Sequence, residues 1–226
     1  MLQSQNLLIF ISFLVYFLFS LIFSFYSYPQ EDALILFRYA NNLAETGAIS
    51  FNLHGEITEG GTDFLWLLVL AMFKLFGFDP FVSTIIFSSL SLAIILRIII
   101  REIVPDKNIF FYIFILIIFL NIGQIIGASI LGFSTLIFCC LGLILYRYAY
   151  RKNYNLWTTI SVIFCLFRPE ALIFFIPSIF IIFEKNKIKL LLIHLSIITL
   201  IGITYFICRY LYFGEFLPLP LMVKQI

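Results

Sequence analysis

The chain has 226 residues, of which 63% are hydrophobic and only 12% are charged, and its formal net charge is +2. A mean hydropathy of +1.11 leaves too few polar groups to cover a water-exposed surface, which excludes an ordinary soluble domain. The composition therefore predicts a polytopic membrane protein whose first partner is the lipid bilayer. Nothing in it supports nucleic acid as a partner.

A helix that crosses the hydrocarbon core needs about 20 residues. Apolar runs of about this length recur along the chain. We predict an all-α bundle of about seven spans. The first run, Leu7 to Ser27, has no basic residue before it and no clear cleavage site after it, so it is interpreted as a retained anchor. The predicted spans are residues 7–28, 80–100, 108–126, 130–147, 154–168, 170–184 and 190–212.

The segment Phe64 to Phe78 is apolar, but it is short and contains Lys74. If it lies along the membrane interface, the three basic clusters of the chain fall on one side, and the positive-inside rule makes that side the cytoplasm. We therefore predict an interfacial helix here, with the acidic stretch before it on the extracytoplasmic face. If the segment spans instead, the clusters move to the side opposite the N-terminus. They are Arg97, Arg101 and Lys107; Arg147, Arg151 and Lys152; and Lys185, Lys187 and Lys189.

One long segment, Tyr28 to Trp66, is polar, acidic and rich in Gly, Asn and Thr. Glu31 and Asp32 follow the first span, where a carboxylate between lipid and water can act as a general base toward a sugar hydroxyl. Residues 33–45 have apolar residues at helical spacing, so a simple helix cap is the alternative role of Asp32. The predicted helix also carries Arg38 and Tyr39, which can contact phosphate or sugar, and Asn41 and Asn42, which are expected to face a loop.

Residues 51–63 contain two glycine clusters, which predict turns over a pocket. A divalent cation is one partner that this loop could hold, although its spacing fits no metal motif, and a solvated loop is the alternative. No other cofactor is indicated. The four cysteines of the chain lie in apolar runs without metal or disulfide spacing and are interpreted as inert thiols. The metal-ligand candidates are His54, Glu56, Glu59 and Asp63, and the cysteines are Cys139, Cys140, Cys165 and Cys208.

The spans 154–168 and 170–184 are too short to cross comfortably, and they meet at Arg168-Pro169-Glu170. Because a proline ends one helix and permits the next to begin, we predict a helical hairpin with its tip in the outer half of the membrane. A charged pair at such a tip is costly unless it faces water or a ligand. Two roles are therefore expected for Arg168. It pairs with Glu170 or with a group at the membrane interface, or it helps to hold an anionic head group.

Several short motifs occur in one order along nearly the whole chain. The later ones are Phe167-Arg168-Pro169-Glu170-Ala171 and Tyr212-Phe213-Gly214-Glu215, continuing through Leu217-Pro218 to Lys224. The earlier ones are Glu31-Asp32-Ala33, Arg38-Tyr39-Ala40, Asn42-Leu43-Ala44, Gly47, Phe51-Asn52, Gly55-Glu56, Glu59-Gly60, Thr62, Phe64-Leu65-Trp66 and Asp79-Pro80. This order resembles that of the bacterial GT-C membrane glycosyltransferases similar to the mycobacterial terminal arabinofuranosyltransferase.

The resemblance implies one GT-C domain over residues 1–226, with juxtamembrane helices in residues 29–79. It implies a multi-pass protein of the cytoplasmic (inner) membrane whose active site faces the extracytoplasmic side. The implied reaction is inverting transfer of a sugar from a polyprenyl-phosphate donor to a glycan or other hydroxyl acceptor. Asp32 would be the general base, and Glu31 would share that task or orient the acceptor.

The resemblance also implies how substrates are held, because cations can stabilise the phosphate charge that develops as the donor leaves. The substrate-binding candidates are Arg38, Arg168 and Lys224 toward the lipid phosphate, Glu59 and Asp63 on the acceptor side, and with them Tyr39 and Glu170.

The chain departs from the family pattern at several positions. Glu31 stands where the family has Asp, and Ser129-Ile130-Leu131-Gly132 lacks an acid that many relatives carry on the second outer loop. Leu219 replaces an Asn, and Gly61 replaces an aromatic residue. Relatives also continue past the last motif, so we expect a fragment, a split gene product or a reduced member. The alternative function is a non-catalytic GT-C-like module that binds a lipid-linked sugar or a partner protein. A transporter fits the hydropathy but not the charge layout.

Overall fold

The structure, a computed structural model, describes residues 2–26, 28–58, 60–103, 127 and 130–216, with only the backbone of residues 2–8 and 103. The predicted span 108–126, Glu59 and Lys224 lie outside these residues. The described part consists of helices and turns, with one isolated β-bridge between Ser50 and Ile57. Its α-helices are α1 (Leu2–Ser24), α2 (Glu31–Thr46), α3 (Phe64–Leu75), α4 (Pro80–Ile103), α5 (Thr135–Tyr150), α6 (Tyr154–Phe167), α7 (Ala171–Ile182) and α8 (Ile188–Phe213).

The all-helical prediction is confirmed for the described residues, and two segments there are long and apolar enough to cross a membrane. They are Pro80–Glu102, within α4, and Lys185–Phe213, which contains α8. By contrast, α3, α6 and α7 have 12, 14 and 12 residues. These lengths correspond to about 18 to 21 Å, against a hydrocarbon core of about 30 Å. Seven separate crossings therefore stay a prediction.

The helix expected over residues 130–147 has different bounds, so that prediction was wrong in detail. α5 begins at Thr135 and ends at Tyr150. Gly132 has a φ of +86°, a left-handed conformation that interrupts the helix, and the Ser134 carbonyl accepts the amide hydrogen of Phe138 at 2.9 Å. The apolar run continues through this turn, so hydrophobicity alone does not reveal it.

The chain forms two compact units. Unit 1 comprises Met1–Leu34 and Phe78–Cys140, and unit 2 comprises Ile35–Gly77 and Leu141–Ile226. In unit 1, α1 packs along α4, and their core contains Tyr16, Leu92 and Leu96. Both helices bury small side chains, a residue type that is common where helices pack in membranes. These are Ser12 and Ser20 of α1 and Ser88 and Ser89 of α4.

Unit 2 is built on α6, which contacts α3, α7 and α8. At the end of α6, Arg168 is extended (φ −150°, ψ 142°), as expected before a proline. The amide of Ala171, the first residue of α7, donates to the Arg168 carbonyl at 3.1 Å and closes the tip. The prediction of a helical hairpin is confirmed.

Buried polar contacts fix the register of this hairpin. The indole Nε1 of Trp157 donates to the Ser178 hydroxyl at 3.0 Å, and both side chains are fully buried. The Tyr154 hydroxyl donates to the Ile182 carbonyl at 3.1 Å. At the same end, the Lys152 ammonium donates to the carbonyls of Ile181 and Phe183 and satisfies the C-terminus of α7.

Candidate functional site

The two acids predicted to be catalytic open α2. Glu31 and Asp32 form its first turn and are exposed, where the partial positive charge of a helix N-terminus favours carboxylates. Because the helix begins at Glu31, Asp32 lies inside the first turn and not at the capping position. Just before them, the amide of Gln30 donates to the Leu131 carbonyl at 3.1 Å. Within unit 1, the start of α2 therefore lies beside the turn at residues 131–132.

Arg38 holds the loop that follows α2. Its Nε donates to the Phe51 carbonyl at 2.7 Å, and its Nη2 donates to Asn52 Oδ1 at 3.1 Å. Its guanidinium carbon lies 4.2 Å from the centre of the Phe51 ring, which is a cation–π contact. Part of this guanidinium is thus engaged within the protein, while the residue as a whole stays exposed.

Tyr39 lies under the same loop and is only 4% exposed. Its hydroxyl is 3.2 Å from the Thr58 hydroxyl. The backbone of Gly60 passes so close to the ring that a Cβ there would lie 2.5 Å from Tyr39 Cε2. Asn42 faces the loop as predicted and donates to the carbonyls of Ser50 and Phe51 at 2.9 Å each. The loop is thereby fastened to α2 along its length.

Three predicted site residues meet at the tip of the α6–α7 hairpin. Arg168 Nε lies 3.3 Å from Asp63 Oδ1, and Arg168 Nη2 lies 3.4 Å from Glu170 Oε1. The first contact is an ion pair by distance but is not aligned as a hydrogen bond. The Asp63 side chain is 14% exposed, that of Arg168 27% and that of Glu170 51%. Arg168 therefore pairs with Glu170, as one sequence interpretation expected, and also with Asp63.

A cavity of about 320 Å³ lies next to this ion pair, within unit 2. Thr62 and Pro169, the sequence neighbours of Asp63 and Arg168, line one part of it. The rest of its wall comes from α6, α7, α8 and Phe216; it is mainly apolar but includes Tyr205 and Arg209 of α8. Its volume is at the lower end of the range of ligand pockets, about 300 to 1,000 Å³. The arrangement can hold a small apolar group beside charged side chains.

A second cavity of about 430 Å³ lies between the end of α2, Phe64 and the end of α8. Tyr205 and Arg209 line both cavities. The loop after α2 is attached here, because the amide of Ile49 donates to the Tyr212 hydroxyl at 3.0 Å. Arg209 is 5% exposed, and its Nη1 is 3.4 Å from the Tyr205 hydroxyl.

Sequence reasoning did not single out Arg209. The available signal was its position within an otherwise apolar span, since an ionisable residue at membrane depth is a candidate for function.

The loop that carries the metal-ligand candidates forms turns over its described residues, as predicted. His54 has a φ of 60°, and both it and Glu56 are exposed. Within the described ranges, no group of three or more His, Cys, Asp or Glu side chains is placed to hold a metal ion. Of the other two candidates, Glu59 lies outside those ranges and Asp63 pairs with Arg168.

Comparison of the chain with protein-family models, with curated proteins and with solved structures finds no match.

Proposed function

We propose that the protein is a multi-pass glycosyltransferase of the cytoplasmic (inner) membrane. It transfers a sugar, with inversion, from a polyprenyl-phosphate donor to a hydroxyl of a cell-envelope glycan, lipid or protein on the extracytoplasmic face. The proposal starts from the resemblance to the GT-C glycosyltransferases. The observation that supports it most is the group formed by Arg168, Asp63 and Glu170 beside an apolar cavity.

The contacts inside each unit agree with the predicted sidedness. In unit 2, Asp63 of the first outer loop meets Arg168 at the hairpin tip, and Ile49 of that loop meets Tyr212 at the end of α8. In unit 1, Gln30 meets Leu131 of the second outer loop. All of these residues are predicted to face outward. By contrast, Lys152, from a basic cluster predicted to be cytoplasmic, binds the opposite end of α7.

In the proposed reaction, Asp32 accepts the proton of the acceptor hydroxyl as its oxygen attacks the anomeric carbon. The bond between that carbon and the phosphate oxygen breaks, and the lipid phosphate leaves with the electron pair. The resemblance assigns stabilisation of the leaving phosphate to cationic side chains, and Arg168 is one of its candidates. Because the donor is already activated as a phosphodiester, the reaction needs no nucleotide.

The test compares cells with and without the gene by mass spectrometry of their envelope glycans and lipid-linked sugars. Loss of the gene should remove a glycan species and raise the amount of one lipid-linked sugar. The wild-type chain and a Glu45→Gln control should restore the wild-type pattern, because Glu45 is an exposed acid at the far end of α2. Asp32→Asn should insert normally and fail to restore it.

Two results would contradict the proposal. Unchanged glycans and lipid-linked sugars after loss of the gene would exclude the transferase. Full restoration by Asp32→Asn would exclude Asp32 as the base.

The second candidate function, a non-catalytic module that binds lipid-linked sugar or a partner protein, has one observation in its favour. The turn that lies beside the start of α2 contains Gly132, where many relatives have an acid. A carboxylate is therefore missing at that turn. Binding of a lipid-linked sugar by the purified chain without turnover would support this candidate, and turnover by the chain alone would exclude it.

A further inference from the structure

The cavity of about 320 Å³ has an unusual wall: among the described residues that line it, Arg209 is the only charged one. The same is true of the second cavity, of about 430 Å³. A guanidinium that borders two cavities can present donors to both, because it carries five N–H groups in a planar fork. The two cavities therefore share one cationic group.

The surroundings of Arg209 suit an oxyanion. The Tyr205 hydroxyl is 3.4 Å from Arg209 Nη1, and Thr62 adds a second hydroxyl to the wall of the first cavity. The centre of the Phe213 ring lies 5.1 Å from the guanidinium carbon, and Arg209 is only 5% exposed. An arginine with hydroxyl neighbours and little solvent around it matches phosphate, which offers several acceptor oxygens, better than a single carbonyl.

The rest of the first cavity suits a hydrocarbon chain. Leu172 of α7 and Phe206 of α8 line it and are 53% and 46% exposed, so the cavity reaches a surface of exposed apolar side chains. Only 11% of the most apolar stretch of Lys185–Phe213, 18 residues long, is buried within the protein. In a membrane, this surface meets the lipid chains. A ligand with a long chain can therefore enter from the bilayer and leave its tail there.

We propose that the cavity between α6, α7 and α8 binds a single-chain isoprenoid lipid that ends in a phosphate, with Arg209 holding the phosphate and the chain passing over Leu172 and Phe206. The proposal rests on the proposed function, since this lipid is the carrier of the donor or the released lipid phosphate. It assigns to Arg209 a binding role that none of the sequence motifs indicated.

The experiment measures equilibrium binding of radiolabelled farnesyl monophosphate to the purified full chain in detergent micelles. We expect Arg209→Gln to weaken binding at least tenfold. Arg209→Lys should weaken it less, because it keeps a point charge but loses the fork. The matched control is Arg151→Gln, at an exposed arginine in the turn between α5 and α6 that lines neither cavity.

A second pair of variants tests the cavity without changing charge. Gly202 lines the cavity, and a Cβ added there would meet nothing within 4 Å. Gly202→Phe should place its ring in the cavity and abolish binding, whereas Gly202→Ala, whose Cβ meets nothing, should bind as the wild type does. These variants keep the proposal testable even if Arg209→Gln fails to fold.

Several results would overturn the proposal. Equal binding of farnesol would show that the phosphate is not recognised, and equal binding of palmitate would show a general anion site. Displacement of the lipid by millimolar inorganic phosphate would show a site for free phosphate. Unchanged binding in Arg209→Gln or Gly202→Phe would remove the residue or the cavity from the site.

The outcome also separates this inference from the proposed function. Asp32→Asn should bind farnesyl monophosphate as the wild type does, because Asp32 acts on the acceptor. If binding depends on Arg209 but loss of the gene leaves the envelope glycans unchanged, the lipid site is upheld and the transferase is rejected. If Arg209→Gln restores the glycans and binds the lipid as the wild type does, the transferase is upheld and the Arg209 lipid site is rejected.

Discussion

Arg168 lies 3.3 Å from Asp63, and this ion pair joins the tip of the α6–α7 hairpin to the residue that precedes α3. The Asp63 side chain is 14% exposed, so it is the more buried of the two carboxylates that Arg168 contacts. Water therefore screens the charge of Asp63 less than that of Glu170. Removing the Asp63 carboxylate leaves the partly buried guanidinium of Arg168 with one partner fewer. The pair is thus both a structural link and part of the candidate site.

The first prediction compares these two carboxylates. Asp63→Asn should lower the free energy of unfolding by about 1 to 2 kcal/mol, between the values for exposed and buried pairs, whereas Glu170→Gln should cost less than about 0.5 kcal/mol. Denaturation by a strong detergent provides the measurement. A double-mutant cycle with Arg168→Gln gives the coupling for each pair. Equal costs for the two carboxylates would contradict the role assigned to Asp63.

A second prediction concerns the close approach of Gly60 to Tyr39. A Cβ at Gly60 would lie 2.5 Å from the ring and 2.8 Å from its hydroxyl, and the ring is held by Thr58 and Phe51. Gly60→Ala should therefore displace the loop and cost about 1 to 3 kcal/mol, as overpacking does. It should also speed cleavage after Glu56 by a glutamate-specific protease.

The matched control for Gly60 is its neighbour. A Cβ at Gly61 would meet only the flexible end of Leu36, at 3.1 Å. Gly61→Ala should leave both stability and cleavage close to those of the wild type. Faster cleavage in Gly61→Ala than in Gly60→Ala would show that the Tyr39 ring does not limit this loop.

The third prediction tests the buried hydrogen bond in the hairpin. Ser178→Ala leaves the Trp157 indole N–H without its acceptor in an apolar environment, so it should cost about 1 to 3 kcal/mol. In a Trp157→Phe background, the same Ser178→Ala change should cost clearly less, because no indole N–H remains to be satisfied. Unfolding in detergent measures both steps. Equal costs in the two backgrounds would show that the hydrogen bond contributes nothing.

The sequence predicted the hairpin well because its signals are local. Pro169 forces Arg168 into an extended conformation and cannot continue α6, and the residues on both sides are apolar. The same holds for α2, whose apolar spacing predicted a helix over residues 33–45 and whose observed range is Glu31–Thr46. Local chemistry decides where these elements begin and end.

The candidate site was only partly predictable, because its contacts join distant parts of the chain. Asp63 and Arg168 were each candidates, but no local signal indicated that they would pair with each other. Arg209 was overlooked because its helix appears as one continuous apolar span. The cavities that it lines form only when α8 packs, against α6 and α7 for the first and against residues 43–64 for the second. The turn at Gly132 was missed for a similar reason, since its apolar neighbours suggested an uninterrupted helix.

The last prediction tests the orientation on which the proposed function depends. Glu56 lies in the exposed loop after α2, and Lys185 lies in the exposed turn before α8. In a background with its four cysteines replaced by serine or alanine, Glu56→Cys in intact cells should react with a membrane-impermeant maleimide. Lys185→Cys should react only after the membrane is opened, because positive charge concentrates on the cytoplasmic side. Labelling of both in opened membranes controls for accessibility. The opposite pattern would place the acids of α2 on the cytoplasmic side, where an extracytoplasmic acceptor cannot reach them.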